Sequence, residues 1–134
     1  MTTDEKKRHL IEHRLKQTKE TLEDANFLFE NNRSLRGVIN RVYYALFYAV
    51  LALLVLEPFE SAKHSGVIGY FNRRFIKDGV FSPEMGRYLN IAFEARQESD
   101  YKEFVELTKE NVKELLIHAE TFVNEVKKYL SVNL

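Results

Sequence analysis

No cysteine occurs anywhere in the chain, and that one absence removes disulfides, thiolate nucleophiles and sulfur-ligated zinc together. Tryptophan is also missing, proline appears twice and glycine five times in 134 residues, so few positions are available to break regular structure. Net charge is the third thing lacking. Twenty Lys and Arg offset twenty Asp and Glu, so there is no overall basic field to hold a polyanion, and any nucleic-acid contact has to come from a local patch. The opening Met1-Thr2-Thr3-Asp4-Glu5-Lys6-Lys7 has no apolar signal core behind it, so a cleaved secretory leader is not expected and a cytoplasmic setting fits. The run from Val42 to Leu56 is the longest apolar stretch, yet it contains Tyr43, Tyr44 and Tyr48, lies between Arg41 and Glu57, and is too short for a bilayer. It predicts the central helix of a bundle and no membrane span. At this length one domain is expected, covering residues 1–134.

What is present is helical periodicity. Ile11, Leu15, Thr18, Leu22, Ala25 and Phe29 recur at spacings of three and four, which predicts one buried stripe on a long first helix starting near Thr3 and ending at Asn31-Asn32. Ser34 is the candidate cap of a second helix, apolar on most sides, which Glu57-Pro58 stops. A shorter third helix is expected after Ser61, with Ile68, Phe71 and Phe75 inward and Asp78-Gly79 as its close. Ser82-Pro83-Glu84 opens a fourth through Met85, Leu89, Ala92 and Phe93. A last helix follows Thr108 and carries Val112, Leu115, Leu116, Ala119, Phe122, Val123 and Val126 on one face. With no alternating apolar run and no repeat, the expected class is all-α: an antiparallel bundle of about five helices, the first, second and last of them long.

Within that bundle Arg41 is the anomaly, a guanidinium at the start of an oily helix. Burying such a group is costly unless it is paired or meets an anion. At about 100° per residue, Tyr44, Ala45 and Tyr48 share its face while Leu46 points elsewhere. Two readings stay open. Arg41 bridges structurally to Asp100 or Glu98, or it faces an anionic ligand, with Asn40, Tyr44 and Tyr48 orienting that ligand and Arg96 with Asp100 supporting the wall. Tyr43, Tyr44, Phe47 and Tyr48 also read as ordinary core or interface aromatics. Beside Ser65-Gly66, His64 is placed to cap a helix, line the site or move a proton.

Asn40-Arg41 with Tyr43-Tyr44-Ala45 and Phe47, then Lys63-His64-Ser65-Gly66, then Arg96 with Asp100-Tyr101, resembles the HEPN superfamily over roughly residues 5–130. The resemblance implies a small helical domain, found with minimal nucleotidyltransferases in prokaryotic toxin-antitoxin pairs, with metal-independent ribonuclease activity in several families. Their motif is an arginine followed after four to six residues by a histidine, usually paired across a homodimer. Arginine stabilises charge at phosphorus, and the histidine exchanges protons with ribose or leaving group. Here the histidine slot holds Leu46, Phe47 or Tyr48 according to the spacer. Neither leucine nor phenylalanine has a proton to trade, and a phenol with a pKa near 10 is a poor base at neutral pH. An alternative alignment makes Tyr48 the acceptor of an adenylyl group from the partner enzyme.

The expected function is therefore binding of a nucleotide or RNA phosphate by the toxin-like partner of a minimal nucleotidyltransferase, as a homodimer, with no cofactor and no metal. The first alternative is an active ribonuclease in which Arg41 and His64 are the catalytic pair. The second is a non-catalytic interaction scaffold. Lesser matches are His9-Leu10-Ile11-Glu12-His13, which has zinc-peptidase spacing without a third ligand, Gly66-Val67-Ile68-Gly69, which mimics the loop of KH domains, and the basic clusters Lys6-Lys7-Arg8 and Arg73-Arg74.

Overall fold

A computed structural model of the chain describes residues 2–59, 63–101 and 107–134, except for the side chains of Asp100 and Tyr101. Helix α1 spans Thr3–Glu30, and its first turn is closed by Thr2, whose Oγ1 accepts from Glu5 N–H at 3.2 Å. The chain turns at Asn32, a residue in the left-handed region with φ 54°, where the side-chain amide lowers the usual steric cost. Ser34 then caps α2, Leu35–Leu54, by accepting from Gly37 N–H at 3.2 Å. So short a connection forces α1 and α2 to run antiparallel, and their contact is the most extensive in the molecule.

Helix α2 is the centre of the bundle, packed on α1, α4, α5 and α3. By length and composition it could cross a membrane, but 67% of its most apolar window is buried in the protein. That burial is what a core helix requires. Ser61, the expected cap of the third helix, lies outside the described residues. Helix α3 begins at His64 and runs to Phe71, then continues without a break as a π-helical turn over Asn72–Lys77. Sequence periodicity did not foretell the π turn. It leaves Ile68, Phe71 and Phe75 buried as expected, and Gly79 at φ 80° closes the segment.

Helix α4, Pro83–Tyr101, is nearly as long as α2, which makes it longer than the spacing of its apolar residues implied. Gly86 brings it close to the π turn, because a Cβ there would stand 3.2 Å from both Asn72 and Ile76. Helix α5, Lys109–Asn133, starts at Thr108, whose hydroxyl accepts from Asn111 N–H at 3.1 Å. Its inward face joins an aromatic cluster in which Phe122 meets Phe71 at 5.6 Å and Tyr129 stands edge-on to Phe75 at the same distance. The described residues form an all-α bundle of five helices, as the periodicity implied. Its functional interest lies where the first half of α2 faces the N-terminus of α3 and the second half of α4.

Candidate anion-binding site

Arg41 sits half-buried in the second turn of α2. Its Nε and Nη2 donate to Asn40 Oδ1 at 3.1 and 2.6 Å, and its guanidinium carbon lies 5.5 Å from the centroid of the Tyr44 ring. Among the described residues no carboxylate pairs with it. A carboxamide oxygen orients the fork without neutralising it. From α4, Arg96 reaches the same ring at 5.2 Å and the Tyr43 ring at 5.1 Å. Two guanidiniums of different helices thus converge on Tyr44. Their distances to one centroid bound their separation at about 11 Å, close to the screening length of physiological salt.

Behind this pair stands Tyr43, completely buried. Its hydroxyl lies 2.9 Å from Nδ1 of His64, the first residue of α3. Phe47 holds the imidazole from one face with ring centroids 4.1 Å apart, and Tyr44 stands edge-on to it at 5.9 Å. Burial pushes the Tyr43 phenol up to about 12, against the opposing influence of the Arg96 charge. Burial, and then the Arg96 charge, lower the His64 pKa below its ordinary value. Near neutral pH the phenol is therefore protonated and the imidazole uncharged. His64 Nε2 makes no hydrogen bond among the described residues.

A family model described as the HEPN domain matches residues 11–129. The chain belongs to the HEPN family. Its relatives include a "UPF0332 protein" of Thermotoga maritima, 43% identical over 92% of this chain and 93% of that protein. A protein of Methanocaldococcus jannaschii named "Putative toxin MJ0142" is 36% identical over 90% of this chain and 81% of its own. A "UPF0332 protein" of Archaeoglobus fulgidus is 30% identical over 92% of this chain and 97% of its own.

In this HEPN domain, Asn40, Arg41, Tyr44, His64 and Arg96 come together around one aromatic surface. Tyr48 lies at its rim, half-buried, 6.0 Å ring to ring from Tyr44 and 6.4 Å from Phe47. The Tyr48 hydroxyl has no hydrogen-bond partner among the described residues. The Asp100 side chain, proposed to support the wall, lies outside the described residues. Tyr43 is the residue that sequence reasoning missed, since it was read only as a core aromatic. It sits off the Arg41 face, and its one signal was the Tyr43-Tyr44 doublet beside an arginine.

The lesser motifs separate from this HEPN site. Gly66–Gly69 lies inside α3 as helix, not as a loop, and the described residues contain no strand to make a KH platform. His9, Glu12 and His13 are exposed on α1, with His9 Nδ1 4.0 Å from Glu12. Arg74 donates through Nε to Glu57 Oε1 at 2.9 Å, and Tyr70 donates to the same oxygen at 2.9 Å. Half of the Arg73-Arg74 pair thus ties the loop after α2 to the π turn.

Proposed function

We propose that this HEPN protein binds the phosphate of a nucleotide or of RNA, as the toxin-like partner of a minimal nucleotidyltransferase in a toxin-antitoxin-type pair. The observation that carries the reading is the convergence of Arg41 and Arg96 on Tyr44, with Arg41 hydrogen-bonded, among the described residues, to a neutral carboxamide. A phosphate oxygen accepted by such a fork gains charge-assisted hydrogen bonds. The family relationship and the name of the Methanocaldococcus relative support the toxin-like role. The protein acts in the cytoplasm, where its RNA and its nucleotidyltransferase partner meet. Tyr44, Tyr48 and Leu51 form a half-covered stripe at spacings of four and three along α2, continued by Val55 just past its end, and a homodimer through this stripe would bring two copies of the site together. On its rim, the Tyr48 hydroxyl, without a hydrogen bond among the described residues, is the acceptor offered to a nucleotidyl group.

The test is fluorescence anisotropy of a labelled uridine oligoribonucleotide in chelator, with wild-type protein and Arg41→Ala. Binding weakened at least tenfold by the substitution supports the reading. Equal binding, or none by either protein, sinks it and leaves the scaffold reading.

A second reading, metal-independent cleavage with Arg41 and His64 as catalytic residues, is favoured by one observation, an imidazole neutral near pH 7 whose Nε2 makes no hydrogen bond among the described residues. It expects RNA fragments ending in a cyclic phosphate, formed in chelator and lost in both Arg41→Ala and His64→Ala.

A further inference from the structure

The Tyr43 hydroxyl is sealed in the core and, among the described residues, meets one acceptor, Nδ1 of His64. The neighbouring Arg96 guanidinium, its carbon 5.1 Å from the Tyr43 ring centroid, contains no acceptor atom. A buried hydroxyl whose proton points at nothing forfeits free energy, so the phenol donates to Nδ1. An imidazole that accepts at Nδ1 carries its single proton on Nε2 when neutral, and the tautomer is assigned here from that network. Stacked on Phe47, the ring keeps its Nε2 edge for whatever enters the site.

We propose that Tyr43 is a positioning residue that fixes His64 as the Nε2–H tautomer, so that His64 serves the site as an uncharged hydrogen-bond donor to a phosphodiester oxygen of RNA and not as a base. The inference rests on the phosphate-binding reading above and decides between its two forms. Cleavage through the ribose 2′-hydroxyl requires an atom that takes its proton, and Nε2 already holds one. Binding requires donors, and Arg41, Arg96 and Nε2–H are all donors. Burial and the neighbouring guanidinium oppose a second proton on the ring, which keeps it in the donating neutral form near pH 7. RNA is thus gripped and left intact.

The experiment uses histidine-labelled full-length protein and long-range proton–nitrogen correlation spectra, beside anisotropy with the labelled uridine oligoribonucleotide in chelator. The expected spectrum of His64 has a bare Nδ1 and a protonated Nε2, and Tyr43→Phe, which removes only the hydroxyl, lets the other tautomer appear. His64→Ala should weaken RNA binding about tenfold. His64→Gln should stay within about threefold of wild type, because its amide can place a neutral donor where Nε2 stood and cannot act as a base. A bare Nε2 in the wild-type spectrum overturns the tautomer assignment while leaving phosphate binding intact. His64→Gln as weak as His64→Ala, or RNA cut by the wild type and spared by His64→Gln, overturns the donor role. Wild-type protein that binds no RNA overturns the donor role together with the functional reading.

Discussion

Replacing Tyr44 by leucine removes no charge, yet it should weaken both the fold and the grip on RNA. The ring carries two guanidiniums, at 5.5 and 5.2 Å, and stands edge-on to Tyr43 at 5.2 Å. At a half-exposed position each cation–π contact contributes about 0.5–1 kcal/mol and the aromatic pair a similar amount. Leucine recovers part of the apolar burial, so the net loss should be about 2 kcal/mol, read as a lower urea midpoint with an unchanged slope. The consequence for RNA differs in kind from that of removing Arg41. Each phosphate contact to a single strand contributes about 0.7 to the slope of log affinity against log salt, so Arg41→Ala should lower that slope by about 0.7. Tyr44→Leu should lower affinity at every salt concentration and leave the slope alone, because both cations remain but are no longer held in register. Tyr44→Phe, which keeps the ring, should preserve both stability and slope. A midpoint for Tyr44→Leu equal to that of wild type would show that the ring does not hold the cations. A slope reduced as far as in Arg41→Ala would show that Tyr44 contacts phosphate itself.

Phe122 is fully buried against Phe71, and Phe122→Ala should cost about 3–5 kcal/mol in chemical denaturation. Gly79→Ala meets no atom within 4 Å, so its cost, about 1 kcal/mol, comes only from the positive φ and should appear as a lower midpoint with the fold intact by circular dichroism. His64 has a folded pKa below the unfolded value of 6.5, so its contribution to stability is complete above pH 6.5 and is lost as pH falls from there through the folded value. Urea midpoints measured across that window should fall in wild type and fall less in His64→Gln, and identical profiles would refute the assignment.

The fold was legible because helical packing is written locally. Ile11, Thr18, Leu22 and Ala25 are buried at the spacing the stripe demanded, and Ser34 and Thr108 cap the helices they precede through bonds to residues three positions on. Such rules involve neighbours in sequence and survive without coordinates. The π turn over Asn72–Lys77 did not announce itself, since Ile68, Phe71 and Phe75 fit an α-helical spacing equally well. The second half of α4 shows no such apolar stripe. Beyond Phe93 its residues are mostly polar, and the first half alone carried the apolar pattern.

The site was legible only on the helix that contains its anomaly. From Arg41 the angular rule leads to Tyr44 and Tyr48, and Tyr44 is indeed the ring under the guanidinium. Tyr43 lies two positions from Arg41, about 200° around the helix, so the same rule assigns it to the opposite flank. What gives Tyr43 its chemistry arrives from elsewhere in the chain, a histidine 21 residues on and an arginine from α4. No spacing within α2 could reveal that a phenol buried for packing also meets an imidazole nitrogen. The Tyr43-Tyr44 doublet therefore turns one helix to two purposes. One ring faces outward to gather cations. The other faces inward, and the imidazole nitrogen it meets there fixes which edge of His64 can donate. A histidine held in that way beside two arginines is suited to binding a phosphodiester, and Tyr43→Phe is the change that separates this arrangement from simple packing.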